Sequence, residues 1–264
     1  MLSQYAHDWL LATLIFTRIS GMLITAPAFA WQSAPAAIRV LFALMLAVVV
    51  TPLVATGDPP SVVSLAELFV LGCREALLGV SIGLAIRILF AGFMLSGALA
   101  GQTSGLRMAN VTDPENATST PVLSRFLEIA TLATFFLIGG HRQVIRVLID
   151  SLQWSPPGTE FGWTGMVHAL VEIMTQSFVV AIRLAAPVVA ALLLTILVIG
   201  LISRTVPQLN SLSIGLSFQS LVLLAMLTCS LGSVSWVLEA HTGQALATLK
   251  EAFMNRADAA TMMK

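Results

Sequence analysis

From residue 205 to residue 238 the chain runs 34 positions without a charged side chain. Water cannot solvate so apolar a stretch, and it exceeds the roughly 20 residues an α-helix needs to cross a bilayer. Four more uncharged runs approach that length, at 19–38, 40–57, 88–106 and 184–203. Composition agrees: of 264 residues, 57% are hydrophobic and only 10% charged, where a soluble chain carries about 25% charged residues. Mean hydropathy is +0.92. In hydrocarbon every backbone polar group needs an internal partner, so runs of this length point to helices. The chain therefore reads as an all-α integral membrane protein of about six long apolar units.

The charge balance excludes other classes. Thirteen basic residues offset thirteen acidic ones, and Lys250 and Lys264 are the only lysines. No basic footprint for nucleic acid is present. Polar residues are too few for a disordered chain. Cys73 and Cys229 lie inside apolar runs, where a thiol behaves as a small hydrophobe rather than as half of a disulfide. Ala28-Phe29-Ala30 has the form of a signal-peptide cleavage site, but residues 1–8 carry Asp8 and no positive charge, and Arg18 interrupts the apolar region. The stretch from Trp9 to Ala30 reads as a retained helix.

Polar or proline-rich punctuation falls at 31–35, 57–61, 107–121, 151–165 and 204–210. The units at 65–101 and 167–203, 37 residues each, are too long for one straight crossing. Pro187 predicts a kink or break near Ala186, because proline removes an amide donor and collides with the preceding turn. Trp9, Trp31, Trp154, Trp163 and Trp236 are expected near segment ends, at headgroup depth. Arg39, Arg107, Arg125 and Arg204 fall on one side of a six-helix arrangement, with Lys250, Arg256 and Lys264 against them, so the charges leave orientation open.

Catalytic signatures are missing. The sequence contains no phosphate-binding Gly-x-x-x-x-Gly-Lys-Ser/Thr loop, no His-Glu-x-x-His pair among His7, His141, His168 and His241, and no Gly-x-Ser-x-Gly elbow. Neither an enzyme, a cofactor nor a metal is expected. Small residues carry more information. Gly97, Gly101 and Gly105 recur every four positions, as do Gly79 and Gly83, which places each set on one helix face open to close backbone approach. Packing within the chain and contact with another subunit both fit. Charges inside apolar units are costly and usually paired. They comprise Arg18, Arg74, Glu75, Arg87, Arg125 and Glu128 at i,i+3, Glu172 and Arg183. A transporter would place an ion site on such residues; buried pairing in an oligomer is the favoured reading. The loop 107–121, RMANVTDPENATSTP, holds turn formers together with the apolar Met108 and Val111, which fits either a pore-lining seal or an ordinary connector.

Taken in order, these landmarks resemble the FliR family, the export-gate subunits of flagellar type III secretion. The pattern runs from Arg18 through Thr25-Ala26-Pro27, Pro35, Arg39 and the LFALMLAVVVTP run. It continues with Arg74-Glu75-Ala76-Leu77-Leu78-Gly79, Gly83, Gly97, Gly101, Gly105 and Asp113-Pro114. Pro121-Val122-Leu123, Gly140-His141, RVLIDSLQWSPPG, Pro187, the RTVPQLN stretch from Arg204 and Gly215 complete it. The resemblance covers roughly 9–240, and the virulence-associated SctT relatives share the architecture. Departures from the pattern are Leu216-Ser217 where a proline often follows the glycine, Gln102 one position off, and a loop without phenylalanine.

The resemblance implies a single domain over 1–264, with FliP-like helices and a plug loop at about 9–165, a FliQ-like hairpin at about 166–240 and a tail at 241–264. It implies a channel assembled with FliP and FliQ, contacts with FlhB and FlhA, and unfolded flagellar proteins as cargo. The setting would be the inner membrane at the flagellar basal body, with the core raised toward the periplasm. Gly101, Gly105, Met108, Val111, Asp113 and Pro114 would form the pore plug. Gly79, Gly83 and Gly97 would pack helices, and Arg18, Arg74, Glu75, Arg125, Glu128, Arg183 and Arg204 would be buried charges for assembly. Pro207, Gln208 and Asn210 would turn between the last two helices. An injectisome gate subunit and, further off, a secondary transporter are the alternatives.

Overall fold

The computed structural model describes residues 2–27, 29, 35–54, 64–104, 122–159, 161–205 and 211–262. Regular structure among the described residues is entirely helical: α1 (Leu2–Thr25), α2 (Ala36–Val54), α3 (Leu65–Thr103), α4 (Val122–Leu137), α5 (Gly140–Trp154), α6 (Trp163–Thr205) and α7 (Ser211–Met262). The all-α class is thus the one adopted, with seven helices in place of about six units. The extra helix comes from the stretch 122–154. Gly139 sits there at φ +72°, a left-handed conformation that suits glycine and ends a helix.

Local chemistry sets most helix ends. Pro27 follows the end of α1, and α2 opens directly after Pro35. A reciprocal cap starts α3: the Glu67 amide donates to Ser64 Oγ at 3.2 Å, and the Ser64 amide donates to Glu67 Oε2 at 3.2 Å. Two expectations need correction. Pro187 does not break α6, which runs 43 residues through it. Ala185 and Val188 are buried on either side, and that packing outweighs a local cost of about 3 kcal/mol. Trp9 and Trp236 lie inside helices rather than at their ends, while Trp154 closes α5 and Trp163 opens α6; Trp31 lies outside the described residues. The segment 241–262 is the end of α7, with Leu249 and Phe253 fully buried.

Two compact units divide the chain. One comprises Met1–Leu89, Gly139–Met174 and Thr242–Lys264, the other Phe90–Ile138 and Thr175–His241. The first buries Leu14, Ile15, Ile19 and Met22 of α1, and Leu78, Ile82 and Ile86 of α3. It also holds an aromatic group in which Phe161 lies 5.4 Å from both Trp163 and Phe253, ring to ring. The second is built around Ala100, Leu123, Val188, Leu192 and Leu223. Among the described residues three single helices are long and apolar enough to cross a membrane, at Ala36–Leu53, Leu65–Thr103 and Trp163–Thr205, and two bent helix pairs, Leu123–Leu137 with Gly140–Trp154 and Gly215–Ser230 with Val234–Met254, raise the number to as many as five. The most apolar window of α3 is 61% buried, against 17% for α2 and 22% for α6. The apolar window of α3 is thus largely covered within the chain, and those of α2 and α6 are largely not.

Candidate functional site

Along α1 the buried positions Leu11, Leu14, Ile15, Arg18, Ile19 and Met22 form one stripe of helical period, so Arg18 has no route to solvent. A guanidinium on an apolar stripe needs an acceptor for every donor. Arg18 Nε and Nη2 both reach Glu75 Oε2 at 2.6 Å. Nη1 donates to the Ser151 carbonyl at 3.0 Å and to Ser151 Oγ at 3.3 Å. Nη2 also donates to the Ser155 carbonyl at 3.0 Å. Five contacts match the five N–H groups of the side chain. Glu75, 2% exposed, accepts the Gly158 amide on its other oxygen at 3.1 Å.

Each partner is delivered by a recognisable local device. Glu75, Gly79 and Gly83 are four apart and share a face of α3. A Cβ on Gly79 would overlap the Arg18 carbonyl, and one on Gly83 would overlap Thr25 Oγ1; a Cβ on Gly21 of α1 would overlap the Ala76 carbonyl. Glycine at these three places lets the two backbones touch, which carries Glu75 to Arg18. Ser151 and Ser155 end α5, where the helix dipole is negative and a guanidinium is favoured; the Ser151 carbonyl accepts the Ser155 amide at 2.9 Å and takes Arg18 on its second lone pair. Beyond them, the Thr159 amide bonds the Pro156 carbonyl at 3.2 Å. Gly158 takes φ +87°, as the third position of a Pro-Pro-Gly turn demands. Arg74 touches the same turn through the Thr159 carbonyl at 3.4 Å.

The result is a closed clamp joining α1, α3 and the end of α5, with all guanidinium donors engaged. It contains no free nucleophile or base and is structural in its chemistry. Arg18 and Glu75 stood out in the sequence as charges in apolar runs; Ser151, Ser155 and Gly158 did not. Their signal was the Ser-Pro-Pro-Gly sequence that follows a short amphipathic helix.

Other singled-out residues distribute differently. Gly97 packs α3 onto α4, where an added Cβ would come within 2.9 Å of Ser124 Cα. Gly101 is buried, and its carbonyl accepts Ser104 Oγ–H at 2.9 Å where α3 ends. Gly105, Met108, Val111, Asp113, Pro114, Pro207, Gln208 and Asn210 lie outside the described residues. Arg125 and Glu128 pair at 2.7 Å, but their side chains are 61% and 30% exposed. Arg183 and Arg204 are exposed and Arg74 is half-buried. Of the seven charges expected to be buried, the chain by itself encloses Arg18 and Glu75; Arg74 on α3 is half-buried, and the others lie on the open faces of α4 and α6. Cys73 and Cys229 are free and exposed. Among the described residues no group of three His, Cys, Asp or Glu side chains is placed to hold a metal ion.

The sequence profile of a family described as "Bacterial export proteins, family 1" matches residues 9–245. The chain belongs to this family. Similarity to individual members spans most of its length. It is 30% identical over 217 residues to the flagellar biosynthetic protein FliR of Bacillus subtilis (strain 168), covering 81% of this chain and 83% of the relative. It is 29% identical over 198 residues to FliR of Escherichia coli (strain K12), covering 75% of each. The surface presentation of antigens protein SpaR of Salmonella typhimurium is 30% identical over 166 residues, with 63% of this chain and 62% of the relative covered. The stretch matched to the export family takes in every member of the Arg18 clamp and all of α2 to α6. This export protein is a membrane protein.

Proposed function

We propose that the chain is a core subunit of the flagellar type III protein export gate, forming with FliP and FliQ homologues the channel through which unfolded flagellar proteins leave the cytoplasm. The observation that carries this reading is the similarity to FliR of Bacillus subtilis over 81% of the chain. In this reading residues up to about 165 are the FliP-like part, about 166–240 the FliQ-like hairpin, and FlhB and FlhA dock on the assembled gate in the inner membrane. Met108 and Val111 seal the closed pore, with Gly101 and Gly105 allowing close approach and Asp113-Pro114 turning the loop. The gate has no catalytic work of its own, and export energy enters through other subunits. Similarity to SpaR supports a second reading, a gate subunit of a surface-antigen export system built on the same plan.

Affinity purification of a tagged chain from its native host in mild detergent separates these readings. Recovery with FliP and FliQ homologues is expected. Recovery alone, from cells that make those partners and under conditions that preserve other membrane complexes, would reject the gate assignment. Recovery with the virulence-type homologues in place of the flagellar ones would favour the second reading.

A further inference from the structure

One face of α3 is left uncovered, and its spacing is that of a helix-pairing seam. Between Leu77 and Met94 the positions not buried are Leu77, Val80, Leu84, Arg87, Ala91 and Met94, with Ile88 beside them. Steps of three and four residues alternate along these six positions. That is the 3.5-residue repeat on which one helix lays its side chains into the gaps of another. At 100° per residue the six occupy an arc of about 100°, a width that seats a single helix.

Arg87 is the one charge on this seam. Uncharged runs flank it at 76–86 and 88–106, and α3 continues unbroken through it from Leu65 to Thr103. At 1.5 Å per residue it stands about 33 Å from the first residue of the helix and about 24 Å from the last. The side chain cannot carry its guanidinium past either end. Unlike Arg18, Arg87 is exposed and forms no hydrogen bond or ion pair among the described residues. Five N–H donors amid apolar side chains are costly against hydrocarbon and against a purely apolar helix alike. A carboxylate on the covering surface removes that cost. It fits at one place only on a repeating seam, so it also fixes register. Ala91, one turn further on, keeps the covering backbone close enough for a short acidic side chain to reach.

We infer that this seam takes an apolar helix of a neighbouring gate subunit, and that one Asp or Glu of that helix pairs with Arg87 and sets its register. The inference rests on the export-gate reading, which supplies the neighbour. Leu77, Val80, Leu84 and Met94 interdigitate with apolar side chains of the incoming helix on either side of the ion pair. The Arg18 clamp thus holds α3 within the chain, and the Arg87 seam joins it to the next subunit.

Photocrosslinking of the full-length tagged chain in its native host tests this. The photoreactive p-benzoylphenylalanine replaces Leu77, Leu84 and Met94 one at a time, and adducts are mapped by mass spectrometry. Adducts to a FliP or FliQ homologue are expected, with the sites from Leu77 and Leu84 about seven residues apart on one helix and an Asp or Glu between the sites from Leu84 and Met94. Arg87→Glu should lower recovery of that homologue about tenfold or more, and Arg87→Lys should leave it near wild type. Changing the mapped carboxylate to arginine should restore recovery with Arg87→Glu, which separates a reversed pair from a misfolded variant. Wild-type recovery of the FliP and FliQ homologues, measured alongside, reports on the gate reading by itself. With that recovery intact, the absence of protein adducts at all three positions would overturn the seam. Unchanged recovery with Arg87→Glu, or a loss that the charge swap does not rescue, would overturn the pairing. If the wild type recovers neither homologue, the gate reading falls and takes the named partner with it.

Discussion

Removing the Arg18 side chain is the sharpest test of how this fold holds together. In Arg18→Ala, Glu75 stays 2% exposed and keeps only the Gly158 amide, while the Ser151 and Ser155 carbonyls lose their side-chain donor. Breaking a buried ion pair from one side costs about 3–5 kcal/mol, because the surviving charge cannot return to water. That is a large share of the roughly 5–15 kcal/mol available to an average protein. Arg18→Lys retains the charge but offers three donors from a point instead of five from a planar fork, so most of the loss remains. Arg125→Ala is the internal control: its pair with Glu128 is 61% and 30% exposed, and such pairs contribute about 0–1 kcal/mol. Thermal aggregation and limited proteolysis of the detergent-solubilised protein, with membrane yield alongside, give the comparison. Arg18→Ala should fall well below wild type and Arg125→Ala should match it. Equal behaviour of the two variants would refute the claim that the clamp matters because it is buried.

Three further outcomes follow from the same geometry. Gly79→Leu drives a side chain into the Arg18 carbonyl, so α1 and α3 should separate; a cysteine crosslink between these helices that forms as readily as in wild type would contradict close packing. Gly158→Ala forces an L-residue to φ +87°, which costs about 1–2 kcal/mol and should lower the melting temperature less than Arg18→Ala does; no change would mean the turn relaxes freely. On the gate reading, Met108→Gly with Val111→Gly removes about 1.5–3 kcal/mol of apolar burial per side chain and should raise ion leakage through the assembled gate; normal assembly with unchanged leakage would discard the seal.

Much of the helical framework was legible because membrane helices obey one dominant constraint. The runs at 40–57 and 65–101 became α2 and α3 with small shifts at their ends, and Pro27, Pro35 and Ser64 marked boundaries through local chemistry. Errors arose where packing overrode local preference. α7 runs past the charges at Glu239, Lys250 and Glu251 because Leu246, Leu249 and Phe253 bury one side of it. Pro187 suggested a kink or break, and no break occurs because buried neighbours keep α6 continuous. Gly139-Gly140 and the polar His141-Arg142-Gln143 after it mark the break between α4 and α5, a pair that a count of about six apolar units takes as one.

The clamp shows the same division most clearly. That Arg18 and Glu75 would need partners is already determined by the sequence, since each is a charge on an apolar helical stripe and a bare charge there is prohibitively costly. The four-residue spacing of Glu75, Gly79 and Gly83 likewise places carboxylate and glycines on one face without further information. Only the tertiary structure decided which partners they take. Arg18 meets Glu75 across 57 positions and Ser151 across 133, and no local periodicity encodes a contact at such separation. It depends on two backbones touching at glycine and on the end of α5 arriving with the Ser151 and Ser155 carbonyls turned toward Arg18, and both conditions exist only once the helices have packed.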